Sequence, residues 1–344
     1  MRIMHLLASN KFSGAENVVC QIINMFRDET DIEMIYCSPD GDIRSALTER
    51  AVNFVPVNKL SVKEIKNVIK KQKPDLIHAH DMRASFIAAQ TSGKIPFVSH
   101  IHGNFAGLNK ATPKAIAYAY AASKAKHVFW VSKSSFDNYV FKGIAKKKSS
   151  VLYNVIDVEA LNEKAFSDSN TYNYDVVFLG RLTWEKDPER LIRVIDLVVK
   201  KRPQTRIAIV GTGDMEEQTK SLATALSLNN NIDFLGFRSN PLKILHDSKV
   251  MLMTSIREGT PMCALEAMAL GVPIVSTPTD GMKDLVKNGE TGFLSEEDVV
   301  LCEKILDTLN DNILYNKLSN KSKEQIKISN NVMEYKKNIE KVYI

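Results

Sequence analysis

The sequence predicts an α/β protein of two Rossmann-like, doubly wound parallel-sheet domains facing a cleft, and three observations carry that expectation. Short apolar runs alternate with amphipathic segments from the first residue onward, as successive βα units do. The alternation lapses between Asp157 and Tyr174 into Asn, Ser, Asp and Glu, including Ser167-Asp168-Ser169-Asn170, and restarts at Asp175-Val176-Val177-Phe178. At 344 residues the chain is long enough for two full cores. Strands are expected near 2–8, 32–37, 53–57, 75–80, 96–102, 127–132 and 149–154, then near 175–180, 206–211, 232–236, 250–255 and 273–277. The division is therefore one α/β domain over 1–156, a linker over 157–174 and a second α/β domain over 175–330. A C-terminal helix over 331–344 follows, with Val332, Tyr335, Ile339 and Val342 on one side, suited to packing back across the junction.

Composition narrows the class. Hydrophobic residues make up 44% of the chain and charged residues 25%, values of a soluble globular protein. Cys20, Cys37, Cys263 and Cys302 have no C-x-x-C spacing, so neither a disulfide framework nor a zinc cluster is indicated. The start, Met1 to Ala8, is too short in apolar length for a signal peptide, and no apolar run approaches the ~20 residues that span a bilayer. The expected location is the cytoplasm. Charge is divided unevenly: residues 1–155 hold 22 Lys and Arg against 12 Asp and Glu, whereas residues 156–344 hold 24 against 28. A basic first half suits a phosphate-bearing partner or peripheral contact with an anionic membrane at its inner face. Lys63, Lys66, Lys70, Lys71 and Lys73 fall on one helix and suit a solvated face, and no aromatic residues interleave with the lysines as in nucleic-acid binders.

The segment from Arg257 through Glu258, Gly259, Thr260, Pro261, Met262, Cys263 and Glu266 to Met268 holds the densest chemistry. Thr260 is expected to cap a helix that Pro261 opens, which turns the N–H groups of Met262 and Cys263 outward as an anion site. Glu258 precedes that end and Glu266 lies inside the helix. Carboxylates accept hydrogen bonds from hydroxyls, so the layout suits a diphosphate with a polyol at each side, the shape of a nucleotide sugar. Upstream, Arg181 and Lys186 follow the first strand of the second domain, where two cations neutralise a diphosphate leaving group without metal. Gly14, in Ser13-Gly14-Ala15-Glu16, opens the first helix after the first strand and permits close approach to its N-terminus. Neither this turn nor Gly211-Thr212-Gly213 completes G-x-G-x-x-G, which disfavours a nicotinamide enzyme. No metal is expected: the D-x-D at Asp40-Gly41-Asp42 is a turn signal, and the pairs His78/His80 and His100/His102, each on one strand face, lack a carboxylate or cysteine partner.

Together these segments resemble the retaining glycosyltransferases of family 4, of the GT-B fold and the bacterial capsular and exopolysaccharide-assembly type. The most specific parts are Gly180-Arg181-Leu182 with Glu185-Lys186, and Glu258-Gly259-Thr260-Pro261 with Leu265-Glu266-Ala267. Ser13 stands for the first glycine of the family's Gly-Gly turn, and Asp187 for the glycine after the lysine. The resemblance implies a UDP-sugar as donor, no cofactor or required metal, and a glycan or lipid-diphosphate-linked acceptor. By it Arg181 and Lys186 bind the diphosphate and Glu266 the ribose. Glu258 binds the transferred sugar, Gly259, Thr260, Met262 and Cys263 complete the phosphate site, and Gly14 admits the donor phosphate. His102 contacts the sugar near the reaction centre. Two rival readings are a nucleotide-sugar epimerase of the same shape and a non-catalytic sugar- or nucleic-acid-binding protein.

Overall fold

The computed structural model describes residues 1–103 and 107–344. The chain divides into two compact units, Met1–Asn154 with Met333–Ile344, and Val155–Val332. The first is a parallel sheet of seven strands: β1 (Arg2–Leu7), β2 (Glu33–Pro39), β3 (Phe54–Val57), β4 (Leu76–His80), β5 (Phe97–Ile101), β6 (His127–Trp130) and β7 (Ser149–Val151). Their spatial order is β3-β2-β1-β4-β5-β6-β7. The central strands β4 and β5 are buried at every residue because helices cover both faces, with Ile77, Ala79, Phe97 and Ile101 in the apolar core and His78, His80 and His100 among the buried polar residues. Met4, Leu6, Ile35, Ile77, Phe97, Val128 and Trp130 form the core with the helix Pro113–Lys124. That helix buries Tyr118, Ala121 and Ala122 while Ile116 stays exposed.

The second unit repeats the plan with β8 (Tyr174–Leu179), β9 (Ile207–Val210), β10 (Ile232–Gly236), β11 (Ser248–Met253), β12 (Ile274–Ser276) and β13 (Gly292–Leu294), ordered β10-β9-β8-β11-β12-β13. In such a winding the order reverses beside the first strand, and the loops leaving the carboxyl ends there bound the ligand crevice. The reversals fall between β1 and β4 and between β8 and β11.

Two expectations need correction. Residues 157–174 are not a bare linker: Asp157 accepts a hydrogen bond from the Ala160 amide at 3.0 Å and caps the helix Val158–Phe166. Leu161 and Ala165, one turn apart, are its buried residues, and two apolar contacts hold a helix that its polar composition hides. The C-terminal helix Val332–Tyr343 buries Tyr335, Ile339 and Tyr343, so Tyr343 rather than Val342 continues the apolar side. Residues 333–344 belong to the first unit, where the Tyr343 hydroxyl lies 2.7 Å from His78 Nδ1. Among the described residues no helix is long and apolar enough to cross a membrane.

Candidate active site

In the second unit the loops after β8 and β11 bring together residues 72 positions apart. Lys186 Nζ donates to Glu258 Oε1 at 2.5 Å, and the Ser255 hydroxyl donates to the same oxygen at 2.6 Å. Glu258 is 8% exposed. Burial works against the Lys186 charge, but the field of Glu258 and the hydrogen bond to it outweigh it and hold the ammonium above its ordinary value. Burial also pushes the Cys263 thiol up to about 12, so it stays a neutral thiol beside the pair. Arg181, exposed at the end of β8, forms no ion pair among the described residues. Sequence reasoning gave Lys186 to phosphate and Glu258 to sugar as separate roles; the structure couples them in one buried ion pair.

Backbone contacts fix these loops. The Ile256 amide donates to Glu185 O at 2.9 Å, and the Thr254 hydroxyl reaches Lys186 O at 3.1 Å and Asp187 O at 3.0 Å. Asp187 has φ +46°, the left-handed region that favours the glycine usual there, and its carboxylate accepts from the Arg190 amide at the start of the helix Pro188–Lys201. Beside the Glu258 loop, a Cβ on Gly281 would stand 1.4 Å from Gly259 O, so only glycine fits.

The helix after this loop runs Met262–Leu270, one residue later than expected, with Pro261 rather than Thr260 at the N-cap and no side-chain cap. Proline has no side-chain acceptor for the amides of Met262 and Cys263. Thr260 is 5% exposed, and Glu266 lies half-buried one turn into the helix.

In the first unit Ser13 is the extended N-cap of the helix Gly14–Met25, and its hydroxyl donates to Glu16 at 2.5 Å. A Cβ on Gly14 would meet nothing within 4 Å, so packing does not require glycine there. After β4, Asp81 sits at φ +103°, and its carboxylate accepts from the Ala84 amide at 2.7 Å and the Ala8 amide at 3.3 Å. Burial, against the pull of these amides, raises its carboxyl to about 6. His78 and His80 share a face as expected, with ring centroids 4.1 Å apart, and so do His100 and His102 at 4.1 Å. His5 on β1 joins them.

Ring nitrogens of His5, His78 and His80, and of His80, His100 and His102, lie within 4.8 Å of one another. They do not fit a metal ion: imidazole lone pairs lie in the ring plane, and in each group two rings, His78 with His80 and His100 with His102, lie face to face 4.1 Å apart and cannot aim theirs at one point. Each group also contains two nitrogens already hydrogen-bonded to each other. Of the D-x-D, Asp40 is held by Arg44 at 2.6 Å.

Residues 12–160 match the family described as glycosyltransferase family 4, and residues 160–325 that described as glycosyl transferases group 1. The chain belongs to the family 4 glycosyltransferases. This family 4 chain is 30% identical to an uncharacterized glycosyltransferase of Methanocaldococcus jannaschii, over 64% of the chain and 62% of the relative. It thus spans about three fifths of that relative's length. It is 26% identical to the UDP-Gal:alpha-D-GlcNAc-diphosphoundecaprenol alpha-1,3-galactosyltransferase of Escherichia coli, over 100% of the chain and 97% of the relative. Among solved structures, Anabaena HepE with UDP and glucose superposes with a TM-score of 0.86 at 22% identity, covering 100% and 99% of the two chains. That likeness establishes the GT-B fold.

Sequence reasoning missed Ser255, Gly281, Asp81 and His5. Arg257 also lies here, 5.4 Å from the Trp184 ring, with its Nη1 buried and without a hydrogen-bond partner among the described residues. The run Ser255-Ile256-Arg257-Glu258-Gly259-Thr260-Pro261 carried no signal for Ser255, because serine before a loop is ordinary turn composition.

Proposed function

We propose that this chain transfers a sugar from a UDP-sugar to a hydroxyl of a glycan or lipid-diphosphate-linked acceptor, with retention at the anomeric carbon, in bacterial surface polysaccharide synthesis. The observation that carries the reading is the Lys186–Glu258 pair, set at the reversal point of the second sheet beside exposed Arg181 and the uncapped start of the helix Met262–Leu270. Cations and amides of this kind stabilise a departing diphosphate. Arg181 and Lys186 neutralise its charge, the amides of Met262 and Cys263 donate to a phosphate oxygen, Gly259 and Thr260 shape the loop, and Glu266 takes the ribose hydroxyls. Glu258, oriented by Lys186 and Ser255, holds a hydroxyl of the transferred sugar, and His102 a second. Gly14 leaves room for the donor phosphate. The E. coli relative named for a diphosphoundecaprenol-linked acceptor and HepE bound to UDP-glucose support the acceptor and donor classes. With both charges supplied by protein, no metal is required.

The departing phosphate helps deprotonate the acceptor on the same face, since the sugar-binding carboxylate is tied to Lys186 and does not attack. The basic first 155 residues favour peripheral contact with an anionic membrane carrying the acceptor. The test is thermal stabilisation of the purified chain by a panel of nucleotide sugars and nucleotide diphosphates. One strongly stabilising donor, with the effect lost in Arg181→Ala and Glu266→Ala, supports the site; no stabilisation by any of them at millimolar concentration refutes it.

A further inference from the structure

Two buried histidines, His5 and His80, and the half-buried His102 form a directed line. His5 Nδ1 lies 2.9 Å from His80 Nε2, and His80 Nδ1 lies 2.8 Å from His102 Nε2. Both ring pairs have centroids 5.1 Å apart with interplanar angles of 24° and 20°. Those separations are of rings meeting edge to edge with the N–H in line, whereas His78 and His100 lie over the line at 4.1 Å. Burial drives the imidazoles of His5 and His102 down to about 3 and that of His80 well below its ordinary value, so each ring is neutral and carries one N–H.

The far end of the line sets its direction. His5 Nε2 lies 3.4 Å from the sulfur of Met34, which is 8% exposed on β2. A thioether has no proton and only accepts. His5 therefore carries its proton on Nε2 and accepts at Nδ1, which makes His80 Nε2 a donor and His80 Nδ1 an acceptor. His102 then donates from Nε2 and keeps a lone pair on Nδ1, a shielded atom with no partner among the described residues.

We infer that Met34, His5 and His80 are positioning residues that set the tautomer of His102, so that its Nδ1 accepts a hydrogen bond from a ligand hydroxyl. The identity of that hydroxyl, on the transferred sugar, rests on the transferase reading; the tautomer does not. A reversed line would present an N–H at Nδ1, which donates to the hydroxyl oxygen in place of accepting its proton and so reverses the polarity of the contact. The specificity of the first unit for its sugar thus depends on a sulfur three side chains away.

The experiment is long-range proton–nitrogen correlation spectroscopy of the full chain labelled with 15N-histidine, with His102 assigned by loss of its signals in His102→Asn. In the wild-type chain without donor, His102 is expected to show a protonated Nε2 and a lone-pair Nδ1. Met34→Leu conserves volume and removes only the acceptor. It should shift the His102 tautomer ratio by about fivefold, the bias that one net hydrogen bond sustains, and lower kcat/KM for the donor while selenomethionine at 34 leaves both unchanged. A protonated Nδ1 on His102 in the wild-type chain overturns the inference, and this spectrum needs no variant. So does a Met34→Leu spectrum identical to wild type, or an altered tautomer with unaltered kcat/KM. If no nucleotide sugar serves as donor, the spectrum still reports the tautomer, so failure of the transferase reading is seen separately.

Discussion

Asp81→Asn should make the first unit more stable at neutral pH and not in acid. Asp81 is half-buried, and the protein packed around its carboxyl raises it to about 6 from 3.8 in solvent. A folded-state value raised in this way means that the native chain binds more protons between the two values, so stability falls as pH rises through that window and stays low above it. The displacement corresponds to about 3 kcal/mol once the group is ionised. Asparagine keeps the acceptor for the Ala84 amide, bears the same backbone strain at φ +103° as the aspartate it replaces, and loses the 3.3 Å contact from Ala8, at a cost of about 1 kcal/mol that does not vary with pH. The variant should therefore be about 2 kcal/mol more stable at pH 7.5, with the gain gone near pH 4. Trp130 is fully buried in the first unit and Trp184 is the second of two tryptophans, so urea unfolding followed by fluorescence in a Trp184→Phe background reports the first unit. Taking the difference between the Asp and Asn chains at each pH cancels the other carboxyls. A difference that does not change between pH 4 and 7.5, or a variant destabilised at pH 7.5, refutes the buried ionised carboxylate.

Lys186→Met strands the buried Glu258 carboxylate and should destabilise the second unit by about 3 kcal/mol in urea, with most of the loss recovered in Lys186→Met/Glu258→Leu; an additive double variant argues against the pair. Arg181→Ala should leave stability within about 0.5 kcal/mol, since it forms no ion pair among the described residues, while weakening UDP about tenfold or more by calorimetry. Unchanged UDP affinity removes Arg181 from the site. Glu258→Gln should retain donor binding and reduce turnover about a hundredfold in a single-turnover assay, and normal turnover excludes its role. Gly281→Ala places a Cβ where Gly259 O now lies, so the Glu258 loop must move; the expected result is loss of turnover with the second unit still folded by circular dichroism, and a fully active variant contradicts the contact.

The twelve strands expected all form; the inner ones are legible because a sheet covered on both faces buries them, whereas edge strands such as Ser149–Val151 are largely exposed and follow from the regular alternation with helices. The thirteenth, Gly292–Leu294, is three residues opened by a glycine and depends on pairing with β12, information that resides in Ile274 and Val275 rather than in its own residues. Helix boundaries near the site shift for a similar reason: Thr260 and Pro261 both suit a helix start, and the choice of Pro261 is made by the buried loop that ends at Thr260. The residue types of the site were legible as a set of cations and carboxylates. Their partners were not, since Lys186 and Glu258 meet only through the reversal of strand order between β8 and β11. His5 was overlooked because one histidine in an apolar strand reads as part of the core. Its meaning comes from the strand pairing that sets it beside His78.

The second unit is inserted into the first in the manner of a parenthesis. Residues 155–332 are contiguous, but the first unit needs residues 333–344 to cover His78 with Tyr343 and to bury Tyr335 and Ile339. During vectorial synthesis the first unit therefore waits with an unfinished face while the whole second unit is made and folds. Cutting at residue 154 would strip Tyr343 from His78, whereas residues 155–332 keep a complete sheet within one contiguous stretch.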